Sequence, residues 1–90
     1  VGVPSSLSDP INDFTINAAG TIAILEICRQ AVRPPVVLYA STNKVYGNLE
    51  DKITYDQKGR PQFIDTPQGI DESCEVKPLS PYGCSKASGD

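Results

Sequence analysis

Residues 36–40 read VVLYA, a short run that begins with β-branched residues and is apolar on both faces. Such a run is typical of a central strand that helices cover on two sides. A long helix is predicted just before it, over residues 10–31, because apolar side chains recur there at steps of three and four. A helix that leads by a short turn into a buried strand is half of a βαβ unit. The sequence therefore predicts an α/β fold with a parallel sheet.

Local signals mark where two helices begin. Asp9-Pro10 combines an N-cap acid with a proline at the first helical position. Pro34-Pro35 ends this first helix, since the residue before a proline disfavours helical backbone angles. Ser80-Pro81 opens a second helix, which carries the run Tyr-Gly-Cys-Ser-Lys.

The remaining segments are predicted as loops. Residues 1–8 are small and polar, and residues 41–47 leave the carboxyl end of the predicted strand, where ligands bind in open α/β sheets. Residues 48–81 are polar and rich in proline and glycine, with possible extended stretches at 53–55 and 62–64. A loop of this length inside a compact domain is usually functional.

Composition argues against three kinds of partner. The net charge is −3 and the isoelectric point is near 4.7, so no basic surface is available for a nucleic-acid backbone. No apolar run approaches the roughly 18–20 residues that span a membrane. Cys28, Cys74 and Cys84 form no CxxC pair, and the chain has no histidine, so no metal site is expected. Free thiols indicate a reducing compartment, and hence a cytoplasmic location.

Two features could carry chemistry. Tyr82 and Lys86 lie four residues apart on one face of the second helix, so an ammonium beside the phenol would favour the phenolate and provide a general base. Ser41-Thr42 places two hydroxyls directly after the predicted strand, where either could hydrogen-bond a substrate oxygen. Each feature also has a structural interpretation, because YxxxK occurs on ordinary surface helices and Ser or Thr commonly caps a strand end.

Taken together and in this order, three motifs resemble a known family. NAAGT at 17–21 resembles the N-x-x-G-T helix motif of the NAD-dependent epimerase/dehydratase family, within the extended short-chain dehydrogenase/reductases. STNKVYG at 41–47 resembles the strand and loop motif of that family, and SPYGCSK at 80–86 resembles its S-x-Y-x-x-S-K helix. The resemblance spans nearly the whole chain and implies part of a Rossmann-type, doubly wound parallel sheet, from its central to late segment.

The resemblance also implies site residues. The catalytic set is Thr42, Tyr82 and Lys86. The cofactor-binding set is Ala40, Ser41, Tyr82 and Lys86, and the substrate-binding set is Thr42, Asn43 and Lys44. The implied cofactor is a tightly bound NAD, the implied partner is a nucleotide sugar, and the full-length protein is expected to be a homo-oligomer.

Within the family, the motifs and the long segment between them are most similar to epimerases that invert C2 of a CDP-sugar. In these enzymes the tyrosine takes a hydroxyl proton, a 2-keto sugar forms, and reduction from the opposite face restores the alcohol. Sugar 4,6-dehydratases instead carry an acid pair after the catalytic threonine. Asn43 and Lys44 occupy those positions here, which disfavours loss of water.

One family feature is missing. The seven glycines stand at 2, 20, 47, 59, 69, 83 and 89, too scattered to form the glycine-rich turn that binds the dinucleotide phosphates. Residues 1–90 are therefore expected to be an interior fragment of an NAD(P)-binding Rossmann-like domain that is inactive when isolated. Two alternatives remain: another nucleotide-sugar epimerase or reductase of the family, or a non-catalytic binding protein derived from it.

Overall fold

The computed structural model describes residues 2–90, and its first helix, α1, spans Val3–Ser8. The loop predicted for residues 1–8 is therefore wrong over α1, and Val1 lies outside the described residues. The one buried position of α1 is a serine, Ser6, so the helix has no apolar stripe that a periodicity search could detect. The Ser6 hydroxyl instead donates to the Val3 carbonyl at 2.7 Å.

The predicted long helix is confirmed, although its middle turn is not α-helical. α2 (Pro10–Phe14), a π-helical turn (Thr15–Ala19) and α3 (Gly20–Gln30) follow one another with helical backbone angles at both junctions. Asp9 is the N-cap, and its carboxylate accepts from the Asn12 N–H at 3.1 Å. The helix ends one residue earlier than predicted. π-helical turns occur frequently at functional sites.

The strand predicted at residues 36–40 is not formed within the described chain. The segment makes no ladder hydrogen bonds there, and Val36 and Leu38 are 90% and 93% exposed. A strand exists only through hydrogen bonds to a neighbouring strand, and residues 2–90 offer this segment none. The parallel sheet thus stays a prediction, and what the structure shows is a set of helices with one small antiparallel hairpin.

That hairpin lies inside the long polar segment. β1 (Ile53–Tyr55) pairs antiparallel with β2 (Pro61–Phe63), with Ile53 opposite Phe63. The predicted extended stretches are confirmed, with the second shifted by one residue. A 3₁₀ turn at Glu50–Lys52 leads into β1.

The buried interior of the described residues is mainly polar. Ser6, Asp13 and Ser85 have no exposed surface, and Val45 is the one buried hydrophobic side chain of residues 2–90, at 5% exposure. The apolar residues of α2 and α3 remain exposed, among them Ile11, Ile22 and Ile27. The polar residues that join the helices therefore define how the functional segments are positioned.

Within the described range, no helix combines the length and the apolar character that crossing a bilayer requires.

Candidate active site

The helix that carries the predicted tyrosine and lysine is α4, which spans Pro81–Gly89. Ser80 is its N-cap, and the Ser80 hydroxyl accepts from the Gly83 N–H at 3.0 Å. A side-chain acceptor at this position and a proline at the first helical position both stabilise a helix start. Tyr82 and Lys86 lie one turn apart on α4, and both are half-buried. The predicted helix and its start are confirmed.

The backbone of Tyr82 is held by α1. Its N–H belongs to the first turn of α4, where no intrahelical carbonyl is available. The Ser6 hydroxyl accepts from this N–H at 3.1 Å, and Ser6 is fully buried. Sequence reasoning missed this contact, because it assigned residues 1–8 to a loop.

A second buried contact joins the long helix to α4. The Ser85 hydroxyl donates to the Asp13 carboxylate at 2.7 Å. The Asn17 side-chain amide, which lies in the π-helical turn, donates to Asp13 and to Ser85, each at 3.1 Å. Asn17 therefore contacts the helix that carries Tyr82. Asp13 was not predicted as a site residue; its only sequence signal was an acid four residues before Asn17 on the same helix face.

The Thr42 segment packs against the start of α4. Thr42 caps a 3₁₀ turn at Asn43–Tyr46, and its hydroxyl accepts from the Lys44 N–H at 3.3 Å. A Cβ atom added to Gly83 would lie 2.7 Å from the Lys44 carbonyl oxygen. The two motifs that carry Thr42 and Tyr82 are therefore in backbone contact, although 40 positions separate these residues in the sequence.

This close approach gives a testable prediction at Gly83. In the full-length protein, Gly83→Ala should lower kcat by roughly 10- to 100-fold, because the new methyl group pushes α4 away from the Thr42 turn. The matched control is Gly20→Ala, also in a helix, where a Cβ would lie 3.7 Å from its nearest atom, the Thr15 carbonyl oxygen. Gly20→Ala should keep kcat and stabilise the fold by about 0.5–1 kcal/mol. Equal kcat values for the two variants would contradict the packing argument.

The Lys86 ammonium lies over an aromatic ring. Its Nζ is 4.5 Å from the centroid of the Tyr39 ring, within the range of a cation–π contact. The Tyr39 hydroxyl donates to the Lys86 carbonyl oxygen at 3.0 Å. Tyr39 thus contacts both ends of the lysine residue and ties the extended segment 36–40 to α4. It was predicted as a strand residue and not as a site residue.

The other predicted ligand-contacting residues are exposed, and they lie in the segment of residues 40–44 that leads to the contact with α4. The Ser41 hydroxyl donates to the Asp90 carboxylate at 2.5 Å. Ala40, Asn43 and Lys44 are exposed. None of these side chains is buried in the packing between Thr42 and α4, so a bound molecule could reach all of them.

In the long polar segment, Asp71 forms hydrogen bonds within its own turn. Asp71 accepts from the hydroxyl and the backbone N–H of Ser73 at 2.5 and 2.9 Å, and these bonds, the hydroxyl bond first, lower the pKa of the Asp71 carboxyl. This is the turn geometry typical of aspartate. All three cysteines are free thiols, as predicted. No group of three or more metal-ligating side chains occurs between residues 2 and 90.

The profile of the protein family described as GDP-mannose 4,6 dehydratase matches residues 1–90, the whole chain. The chain therefore belongs to this family of nucleotide-sugar epimerases and dehydratases, and the resemblance seen in its three motifs is confirmed.

Individual relatives include both reaction types. The chain is 42% identical over 90 residues to the CDP-paratose 2-epimerase of Salmonella typhi, covering all of this chain and 27% of the relative. It is 34% identical over 89 residues to a dTDP-glucose 4,6-dehydratase of Mycolicibacterium smegmatis, covering 98% of this chain and 22% of the relative. UDP-glucuronate 4-epimerase 1 of Arabidopsis thaliana is 29% identical over 89 residues, covering 99% of this chain and 17% of the relative. The chain thus spans about a quarter or less of the length of these relatives.

Proposed function

We propose that the full-length protein is a nucleotide-sugar epimerase that uses tightly bound NAD and inverts C2 of a CDP-sugar, as in the interconversion of CDP-paratose and CDP-tyvelose. The observation that carries this proposal is the backbone contact between Gly83 and Lys44, which brings the Thr42 turn against the helix of Tyr82 and Lys86. A hydroxyl, a phenol and an ammonium are the groups that oxidation of a sugar alcohol requires at one place.

Each of these three side chains has a proposed task. Tyr82 removes the proton from the sugar hydroxyl as general base and returns it in the reverse step. Thr42 donates a hydrogen bond to the reacting oxygen; because its Oγ1 already accepts from the Lys44 N–H, its own O–H proton remains available to the substrate. Lys86, one turn along α4, supplies a positive charge beside the reacting groups.

The residues where the segment 39–44 meets α4 fit the nicotinamide ribose of NAD. Lys86 forms no ion pair with another described residue, and its ammonium retains hydrogen-bond donors for the nicotinamide ribose. Ala40 and Ser41 are exposed beside it and would border the same ring. When bound, NAD supplies the hydride acceptor and donor for the redox step. The phosphate-binding glycine turn is not within these 90 residues, in line with the proposal that they form an interior part of an NAD(P)-binding Rossmann-like domain.

The choice of C2 epimerisation rests on two supports. The CDP-paratose 2-epimerase relative shares 42% of residues over the full chain, which is more than the dehydratase relative shares. The residues after Thr42 are Asn43 and Lys44, and an amide and an ammonium cannot supply the acid and base that remove water. We propose that these two exposed side chains contact the substrate.

Incubation of the full-length protein with CDP-paratose or CDP-tyvelose tests the substrate and the position. Each sugar should be converted to the same equilibrium mixture without net formation of NADH. With substrate deuterated at C2, the label should stay at C2 of the product, because the abstracted hydride returns to the same carbon. UDP-glucose and GDP-mannose serve as comparison substrates; turnover of these, with none of the CDP-sugars, would contradict the proposal.

Three other functions are distinguished by the same experiment. Net consumption of NADH or NADPH favours a nucleotide-sugar reductase, and epimerisation at another carbon or on another nucleotide favours a different epimerase of the family. A non-catalytic binding protein would turn over none of these sugars. The presence of Thr42, Tyr82 and Lys86 supports the catalytic functions. As parts of the same proposal, we infer a cytoplasmic location, which the three free thiols support, and a homo-oligomeric full-length protein.

A further inference from the structure

The cluster of Asp13, Asn17 and Ser85 is a closed hydrogen-bond triangle. The Asn17 amide has two protons, and one points to Asp13 Oδ1 while the other points to Ser85 Oγ, each at 3.1 Å. The single Ser85 hydroxyl proton faces two acceptors, Asp13 Oδ2 at 2.7 Å and the Tyr82 carbonyl oxygen at 2.9 Å. It can serve only one of them. The bond to the carboxylate is shorter and charge-assisted, so the carboxylate takes it.

The position of Asp13 is unusual for a carboxylate. Its side chain has no exposed surface, and no lysine or arginine lies within ion-pair distance in the described part of the chain. Burying a carboxylate is costly unless hydrogen bonds compensate for the lost water. Here the compensating donors come from the π-helical turn and from α4, so the bonds that satisfy Asp13 also define the position of one helix relative to the other.

We propose that Asp13 is a positioning residue for Tyr82, and the proposal rests on the function proposed above. Ser85 follows Tyr82 by three residues on α4, so a fixed Ser85 fixes the rotation of the turn that carries the tyrosine. The contact between Ser6 and the Tyr82 N–H holds the start of that turn. Without Asp13, α4 loses its buried bond to the long helix. The contacts with Ser6, Lys44 and Tyr39 remain, but they fix the rotation of the Tyr82 turn less tightly. The phenol then moves away from the Thr42 hydroxyl.

The test compares Asp13→Asn, Ser85→Ala and the double variant in the full-length protein with CDP-paratose as substrate. Asp13→Asn keeps the volume but leaves one acceptor oxygen where the carboxylate has two, so the side chain cannot accept from both Asn17 and Ser85. Ser85→Ala removes the hydroxyl donor. Each single variant should lower kcat by about 10- to 100-fold, with KM and the amount of retained NAD within about twofold of the parent. Because both substitutions break the same hydrogen-bond triangle, the double variant should be no slower than the slower single variant. Asp9→Asn is the matched control: the same change at an exposed N-cap, where Asn is an equally good cap, should leave kcat unaltered.

Three outcomes would overturn the proposal. One is a kcat within twofold of the parent for folded Ser85→Ala, and this result decides alone if Asp13→Asn does not fold. Another is a double variant whose loss equals the product of the two single losses. The last is a rise in KM with an unchanged kcat, which would show loss of substrate binding. Tyr82→Phe in the same assay separates the two proposals: if it is inactive while the Asp13 and Ser85 variants are normal, only the positioning role fails.

Discussion

Replacing Tyr82 with phenylalanine should lower epimerisation of CDP-paratose by the full-length protein by about 10³-fold or more. General acid–base groups contribute roughly 10²- to 10⁴-fold to a rate, and the phenol is the only group proposed here to move the substrate proton. The substitution removes one oxygen atom. The Tyr82 contact that holds α4 uses the backbone N–H, which donates to Ser6 at 3.1 Å and is unaffected by the side chain. Initial rates, thermal unfolding and retained NAD would be measured on the same preparation.

The control for this variant is Tyr55→Phe. Tyr55 lies on β1, is exposed, and loses the same hydroxyl group at a site remote from α4. Tyr55→Phe should keep the parental rate, and both variants should unfold at the parental temperature. A Tyr82→Phe enzyme that retains its rate would remove Tyr82 as the base and, with it, the proposed function.

The long helix and α4 could be predicted from sequence because their signals are local. Asp9-Pro10 and Ser80-Pro81 mark helix starts through contacts made within three residues, and both caps are present in the structure. The strand predicted at residues 36–40 depends instead on distant parts of the chain. Its apolar composition is typical of a segment packed between other elements. A strand also needs hydrogen bonds from neighbouring strands, and residues 2–90 do not provide them. The π-helical turn was not predicted either, because the spacing of apolar residues does not distinguish the i→i+5 hydrogen bonds of a π-helix from the i→i+4 bonds of an α-helix.

The candidate site also has residues that local motifs predict and residues that only tertiary packing reveals. Motifs made Thr42, Tyr82 and Lys86 candidates, because these residue types are chemically distinctive and lie in ordered runs. Sequence reasoning missed the residues that hold them: Ser6 supports Tyr82 from 76 positions away, and Asp13 reaches Ser85 across 72. A serine in a polar stretch and an aspartate on a helix look like solvent-exposed residues until tertiary packing buries them. Their role depends on which surfaces meet, and single-sequence patterns do not contain that information.

Gly47→Ala should be the most destabilising of the glycine substitutions in this chain, by about 3 kcal/mol or more. Gly47 ends the Thr42 turn with φ of 72°, a region that costs a side-chain-bearing residue roughly 1–3 kcal/mol. In addition, a Cβ atom there would lie 2.1 Å from the Lys77 carbonyl oxygen, which is backbone and cannot rotate away. The loop that contains Lys77 would have to move to relieve this overlap. The 2.9 Å hydrogen bond from the Lys77 N–H to the Val45 carbonyl would then be lost.

Gly59→Ala isolates the first of these two effects, the backbone strain. Gly59 has nearly the same φ, 74°, but no atom lies within 4 Å of the position its Cβ would take. Gly59→Ala should therefore show only the backbone strain. The free energies of unfolding of the two full-length variants, measured in urea, should differ by about 2 kcal/mol, with Gly47→Ala the less stable. Gly47→Ala should also lose activity at temperatures where it is still folded, because the displaced turn carries Thr42, whereas Gly59→Ala should not. Equal unfolding free energies for the two variants would show that overlap with the Lys77 carbonyl oxygen does not limit the stability of the turn after Thr42.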